Sequence, residues 1–484
     1  MVSEPVSPSP DGPGVARVGA SRRGLTPAQG VVLAIILTAF GGSAICFPKT
    51  TFGLLILMIQ IGFLVLAAWR VLLIGVSRPP PDRIEPEDAE RSVDTCPRYT
   101  IMAALHDEAE VVCQLIERLA RIDYPPDRLE AFLLLEAHDH KTIGAAQVCE
   151  RPDWLSILIV PPGHPRTKPR ALNHGLARAT GTFVTIYDAE DDPDPLQLRE
   201  AADRFAADTD GRIGCLQSPL RIHRKARPSH GSPFLDRQFA VEYAALFEVT
   251  LPAMAQLGLP FPLGGTSNHF RVDVLRSIGG WDAWNVTEDA DLGFQLWRNG
   301  WRLGVLRRPT HETPPGGLYD WLPQRTRWLK GYMQTWGVHT RDPRPLGWRG
   351  GLSLILSLGA GLMSAAGHAI ALAWVLAWVM VSIMAGLPPG LPVLSMSVLV
   401  LGLAAAWLQC AIGARRGRVP YTATDMMAAP AYWSLLTLAF IHAAWRLVRD
   451  PFTWDKTAHR RDEDRPETRL GLERRGLEAG REAG

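Results

Sequence analysis

From Gly350 to Ala414 the chain runs for 65 residues without an Asp, Glu, Lys or Arg. A helix crossing a bilayer core needs about 20 apolar residues, so this stretch offers room for more than one crossing. A purely soluble protein is therefore excluded. The 484-residue chain nevertheless has 21% charged residues and a mean hydropathy of only +0.01. The remainder must be polar enough to offset the apolar run. A formal net charge of +2 gives no bulk basicity of the kind a nucleic-acid partner needs. The six cysteines are scattered with no C-x-x-C, which reads as reduced structural thiols with neither a disulfide framework nor a zinc site.

Residues 1–26 are rich in Pro, Ser and Gly and read as a disordered tail. Two apolar stretches, Gly30–Phe47 and Phe52–Val76, follow on either side of Pro48-Lys49 and predict a transmembrane hairpin over 27–78. Arg22 and Arg23 on one flank, and Arg70, Arg78 and Arg83 on the other, outweigh Lys49 between them. The positive-inside rule then places the N-terminus and the following polar region in the cytosol. Beyond Arg349, Pro388-Pro389-Gly390 divides the membrane region 350–448. Gly350–Leu387 is long for one span and tight for two, so either a hairpin turns near Gly367-His368 or an interfacial helix precedes one span. With Leu391–Ala414 and Met426–Val448 this makes three or four C-terminal spans. Six spans in total, which return the polar tail 449–484 to the cytosol, are expected.

The polar region 95–315 alternates strand and helix signals. Thr100–Leu105, Ala131–Leu135, Leu155–Val160 and Phe183–Tyr187 have strand length, with helical patterns at Val111–Ala120 and Ala171–Ala179 between them. This alternation predicts an α/β domain with a mainly parallel, Rossmann-like sheet and functional loops at the strand C-termini.

Two of those strands run straight into acid. Ala131–Leu135 ends in Glu136-Ala-His138-Asp139, and Phe183–Tyr187 ends in Asp188-Ala-Glu190-Asp191-Asp192. Such charge at a sheet edge is costly unless a cation neutralises it, and carboxylates one residue apart suit Mg²⁺ or Mn²⁺. A D-x-E alone is common on solvated loops. Thr287-Glu288-Asp289 precedes a helical run, where Thr287 or Asp289 could simply cap the helix or Asp289 could act as a general base. Gln324-Arg325-Thr326-Arg327-Trp328 lies in the segment 316–349, just before the membrane region. There Arg327 can meet a diphosphate and Trp328 can stack on a sugar face, although Trp near a membrane is also an interfacial anchor.

Taken together, Asp188-x-Glu190, Thr287-Glu288-Asp289 and Gln324-x-x-Arg327-Trp328, flanked by membrane spans, resemble the processive family-2 glycosyltransferases. These include bacterial cellulose, hyaluronan and mixed-linkage β-glucan synthases. The resemblance implies a GT-A fold, an inverting transfer from a UDP-sugar, with UDP-glucose favoured, and a β-linked polysaccharide grown and exported at the bacterial inner membrane; the alternatives are a non-processive transfer of one sugar to a lipid carrier and a catalytically inactive receptor or scaffold on the same fold. It implies Asp188 and Glu190 as metal ligands and Asp289 as catalytic base within Thr287-Glu288-Asp289. Asp107, Glu136 or Asp139, Lys168, Asp188 and Arg327 would bind the donor, with His106, Glu108 and Asn173 nearby. Gln324, Trp328 and Ser267, in Gly264-Gly265-Thr266-Ser267-Asn268, would face the acceptor. Glu190 and His106-Asp107 depart from the commonest forms and point to the β-glucan and adhesin-type subgroup. Phe452-x-Trp454-x-Lys456-Thr457 is similar to the family's gating loop, which works on the cytosolic side. The tail is too short for a cyclic-di-GMP-binding barrel, so such control, like any separate export function, would need a second chain.

Overall fold

The computed structural model describes residues 21–80, 96–222, 232–386 and 393–453. Most of the expected tail 1–26, the Pro388-Pro389-Gly390 break and Trp454 to Thr457 of the gating-loop motif lie outside the described residues. Thr26 opens α1 (Pro27–Cys46) with a capping box: its hydroxyl accepts from the Gln29 amide at 3.2 Å, and the Gln29 side chain accepts from the Thr26 amide at 2.9 Å. No residue of α1 is buried, so its apolar side chains face outward all round. Pro48 starts α2 (Pro48–Val76), where a missing N–H costs nothing.

The α/β domain then runs β1 (Tyr99–Leu105), α3 (Val112–Leu119), β2 (Leu129–Glu136), α4 (His140–Val148), β3 (Leu155–Val160), α5 (Lys168–Leu176) and β4 (Phe183–Tyr187). It continues with β5 (Asp192–Pro193), α6 (Gln197–Ala206), β6 (Ile213–Gln217), β7 (Leu220–Ile222), α7 (Pro233–Ala245) and α8 (Leu251–Gln256). The last elements are β8 (Asn268–Arg271), α9 (Val272–Ser277), α10 (Glu288–Arg298), β9 (Arg302–Val305) and β10 (Thr310–Glu312). Seven strands form a sheet in the order β3-β2-β1-β4-β8-β6-β9, parallel except for β8. The chain lays β2 and β3 on one side of β1 and β4 on the other, so a crevice opens where β1 and β4 end. A small sheet, β5-β10-β7, sits beyond β4 and carries Glu312. The four strand-length runs read from the sequence all form, and the expected mainly parallel α/β architecture is the one observed.

Helix α11 (Leu318–His339) leads out of the domain, followed by α12 (Gly347–Leu354), α13 (Ala360–Met384), α14 (Val393–Gly417) and α15 (Ala423–Arg449). Among the described residues, five helical segments are long and apolar enough to cross a membrane, where six were expected. The expected hairpin near Gly367-His368 does not form, because α12 and α13 join through a π-turn, Ile355–Gly359, into one rod from Arg344 to Met384. Gly367 instead packs against α2, where a Cβ would stand 3.5 Å from Ile59. Leu66, Trp69 and Leu73 of α2 share one buried cluster with Met102, Val184 and Phe270 of the sheet, so apolar helices and domain have a continuous core. The thiols also depart from expectation: Cys113 and Cys149 form a disulfide between α3 and the residue after α4. Their Cα atoms are 5.5 Å apart because the two helices pack together, which sequence spacing does not reveal.

Helix α15 returns to the α/β domain at both ends. At its start, Arg237 of α7 pairs with Asp425 and Gln238 donates to the Asp425 carbonyl at 2.8 Å. Just past its end, Lys330 Nζ donates to the Thr453 carbonyl at 2.8 Å, and the Phe452 ring meets Trp284 edge-on at 5.4 Å. Arg22 lies over the same Trp284 ring, 4.6 Å from its centroid. Single cysteines replacing Arg23, Glu150 and Thr453 in a cysteine-free background should therefore all react with an impermeant maleimide from one side of sealed vesicles. Labelling of Thr453→Cys from the opposite side would mean that α15 crosses.

Candidate active site

At the crevice where β1, β2 and β4 end, a cavity of about 680 Å³ is lined by Lys168, Asp188, Glu190, Glu288, Asp289, Glu312, Gln324, Arg327 and Trp328. Lys168 is the first residue of α5 and only 7% exposed. Its Nζ pairs with Asp188 and donates to the Gly265 carbonyl at 2.7 Å. Burial opposes its charge, but the carboxylates of Asp188 and Glu288 outweigh that and hold its pKa above the usual lysine value. Asp191 closes the turn after β4, accepting from the Asp188 amide at 2.7 Å and from the Thr266 hydroxyl. Arg118 donates to the Glu190 carbonyl at 2.8 Å and so pins the same turn from α3.

Thr287 stands at the N-cap of α10 but makes no side-chain cap hydrogen bond, while the Asp289 carboxylate accepts from the Ala290 amide at 2.8 Å. The helix holds Glu288 and Asp289 in its first turn, where the macrodipole favours negative charge. Burial and then the Asp289 charge push the Glu288 pKa up to about 7. Burial likewise raises Asp289, against the pull of Arg327 and Lys168. A Cβ on Gly265 would lie 3.3 Å from an Asp289 carboxylate oxygen, so the Gly264-Gly265 turn approaches the acid closely.

Helix α11 brings Gln324, Arg327 and Trp328 over these carboxylates. A residue the sequence reading passed over, Arg325, fixes that helix. Its guanidinium forks onto Glu242 at 2.8 and 2.7 Å and donates to the Tyr432 hydroxyl at 3.0 Å. It also lies 4.4 Å from the Trp328 ring centroid, setting that ring in place. Gly331, one turn on, packs against Thr287 so closely that a Cβ would collide at 2.2 Å.

At the β1–β2 end, Glu136 lines the cavity and takes both oxygens to Arg170 Nη2 at 2.6 Å. Asp139 caps α4 through Thr142 and accepts from the Asp107 amide at 2.5 Å. Despite partial burial, those donors hold the Asp139 carboxyl below its usual pKa. Asp107 itself sits at φ 55°, a left-handed conformation this bond supports. His106 and Glu108 line the cavity beside it. Asp107 and Asp139 stand at this end without lining the cavity, and two further expected site residues are placed elsewhere: the Ser267 hydroxyl donates to Thr310 at 2.6 Å in a fully buried position, and Asn173 binds both the Trp281 amide and carbonyl. Gly280, at φ 70°, makes room for Asn173, whose Oδ1 would be 2.2 Å from a Cβ there.

Glu312 is the acid that no motif announced. Burial and the charges of Asp191, Glu190 and Asp188 push its pKa well above that of an ordinary glutamate. Asp191 Oδ1 is buried without a hydrogen-bond partner among the described residues. Such an excess of oxygen donors and negative charge suits a hard divalent cation. Among the described residues no three His, Cys, Asp or Glu make a complete ligand set, so diphosphate and water oxygens would fill the shell around Asp188 and Glu190.

Residues 183–412 match the family model described as Glycosyl transferase family group 2. The chain is 28% identical over 265 residues to a β-monoglucosyldiacylglycerol synthase of Synechocystis sp., covering 53% of each protein. It is 28% identical over 254 residues to the UDP-forming cellulose synthase catalytic subunit of Komagataeibacter sucrofermentans, covering 51% of this chain and 32% of that one. It thus spans about half, or less, of the length of these curated relatives. Its fold is similar to that of the mannosyltransferase PcManGT from Pyrobaculum calidifontis, solved with GDP-Man and Mn²⁺. That match has a TM-score of 0.50 and 19% identity, covering 81% of this chain and 99% of that one. The α/β domain thus has a GT-A fold.

Replacing Arg325 with Gln strands Glu242 and frees Trp328. Because the Glu242 side chain keeps 38% exposure, the expected loss is roughly 2 kcal/mol, below that of a fully buried pair. Thermal unfolding of detergent-solubilised protein, read by tryptophan fluorescence, should show the lower midpoint.

Proposed function

We propose that this family-2 domain transfers a sugar from a UDP-sugar, with inversion, to a hydroxyl entering the cavity from the side of the apolar helices. The observation that carries the reading is the single cavity in which Asp289 faces Arg327, Lys168 and Asp188. Asp289, ionised, accepts the proton of the attacking hydroxyl as its oxygen bonds to the anomeric carbon. The bond from that carbon to the diphosphate breaks on the opposite face, and UDP leaves with the electron pair. Arg327 stabilises the charge growing on the leaving group. Lys168 holds Asp188 in place, so that Asp188 and Glu190 can bind Mg²⁺ or Mn²⁺. When bound, that ion would screen the diphosphate. Glu136, with His106 and Glu108, lies where the nucleoside end would rest. UDP-glucose is the favoured donor, by resemblance to the glucosyl-transferring relatives. A nucleotide-sugar donor also favours a cytosolic domain at a bacterial cell membrane.

For the acceptor, the lining decides. Beyond Trp328 the cavity is walled mainly by apolar side chains of α2, α13 and α14, among them Ile56, Phe63, Leu372, Trp374, Val375 and Leu399, with Gln60 and Ser395 between them. Mostly apolar walls suit a hydrocarbon chain, whereas a glycan would lose most of its hydrogen bonds to water there. We therefore favour a membrane lipid as acceptor. The second reading, elongation and export of a β-glucan, keeps the support of Gln324-x-x-Arg327-Trp328 and of the cellulose synthase relative.

Asp289→Asn should lower sugar transfer by about 10²- to 10⁴-fold while UDP binding persists; undiminished turnover removes Asp289 from the role of base. Since burial raises the Asp289 pKa, activity should fall with decreasing pH through a midpoint above the ordinary aspartate value of 3.8. Membranes fed labelled UDP-glucose should put the label into the chloroform–methanol phase. Label confined to high-molecular-weight, glucanase-sensitive material would establish the polymer reading instead.

A further inference from the structure

Helix α2 turns Phe63, Leu66, Arg70 and Leu73 towards the cavity at helical spacing, so one face of an apolar helix carries a guanidinium into it. Arg70 stands seven residues before Ser77, about 10 Å along the helix axis. Ser77 marks the domain end of α2, where Arg416 binds its hydroxyl at 2.6 Å. Arg70 therefore lies within the helix bundle and not at its rim. Among the described residues it has no hydrogen bond or ion pair. Glu242, which lines the same cavity, is already held by Arg325 and by the Tyr432 hydroxyl at 2.6 Å. The titratable side chains that sense the Arg70 charge, Cys410 and His368, bring no negative charge to it. The deeper acids pair with the cations of the transfer site, Lys168 and Arg327.

An intramembrane cation without a counter-ion is costly, and such residues face cavities that bring them an anion. We propose that Arg70 receives the phosphate of a phosphate-bearing lipid whose hydrocarbon chain lies along the mainly apolar wall of α2, α13 and α14. The proposal rests on the lipid-acceptor reading and narrows it. A guanidinium fork matches phosphate oxygens in two parallel hydrogen bonds, which a neutral sugar hydroxyl does not reproduce. The chain supplies the apolar burial and Arg70 supplies the headgroup contact. The phosphate belongs either to the acceptor itself or to a resident phospholipid beside it, and the chemistry at Arg70 is the same.

The test is binding of farnesyl phosphate, farnesol, phosphatidylglycerol and inorganic phosphate to the full chain in dodecyl maltoside, read by tryptophan fluorescence. Wild type should prefer farnesyl phosphate to farnesol and to inorganic phosphate. Arg70→Gln should weaken farnesyl phosphate about tenfold or more, Arg70→Lys should keep most of the affinity, and both should bind UDP as wild type does, which reports an intact fold. Phosphatidylglycerol competing as well as farnesyl phosphate supports the site with a resident lipid as its source; label on a glycerol hydroxyl of phosphatidylglycerol after addition of the UDP-sugar supports the acceptor as source, since the transfer proposed above takes a hydroxyl. Equal binding of farnesol and farnesyl phosphate, or no change in Arg70→Gln, overturns the proposal. Because these readouts are binding constants, Arg70-dependent binding with no lipid product would overturn the acceptor reading and leave the site standing.

Discussion

Six carboxylates, Asp188, Glu190, Asp191, Glu288, Asp289 and Glu312, crowd one crevice, and burial raises the pKa values of four of them, with mutual repulsion adding to it at Asp191, Glu288 and Glu312. Everything around the cavity answers that excess charge. Lys168 at the head of α5 meets Asp188 directly. The first turn of α10 offers its positive dipole end to Glu288 and Asp289. Arg327 must come from outside the sheet, on α11, so the placement of one helix governs whether the acids are tolerable and whether a diphosphate can bind.

That placement is itself a membrane matter. Helix α11 is held by Arg325 between Glu242 of α7 and Tyr432 of α15, and its far half grips the backbone after α15 through Lys330 and Gln334. The last apolar helix thus clamps the helix that carries Arg327, the cation proposed to meet the leaving group. On the other side, Leu66, Trp69 and Leu73 of α2 pack into the core of the sheet. Domain and apolar helices form one body, and the cavity between them runs from carboxylates to mainly apolar wall without a break in its lining. A reaction joining a charged donor to a hydrophobic acceptor needs such a boundary.

Much of this was legible in the residues. Short apolar runs ending in acid located β2 and β4 and the ligand edge, because strand length and burial leave a local trace. The charge-free run likewise announced apolar helices, since hydrocarbon excludes ions regardless of fold. Glu312 and Arg325 left no such trace: one is an acid on a three-residue strand, the other looks like a spare cation inside a motif. Their roles come from neighbours distant in sequence, Asp191 for the first and Glu242 for the second. Ser267 shows the converse, a motif residue whose hydroxyl is spent on Thr310.

The 65-residue stretch without charge determined, by itself, that part of the chain leaves water, because desolvating ions in hydrocarbon is prohibitive. It did not determine how many helices it makes or what they do. Gly367 could have bent the rod or let it pack, and the tertiary structure packs it against α2. Arg70 could have been one more flanking charge of the positive-inside kind, and the packing of α2, α13 and α14 turns it into a cavity. Composition sets the solvent each segment prefers; which side chains face one another is decided only when distant segments meet, since contact energies depend on geometry that no local pattern carries.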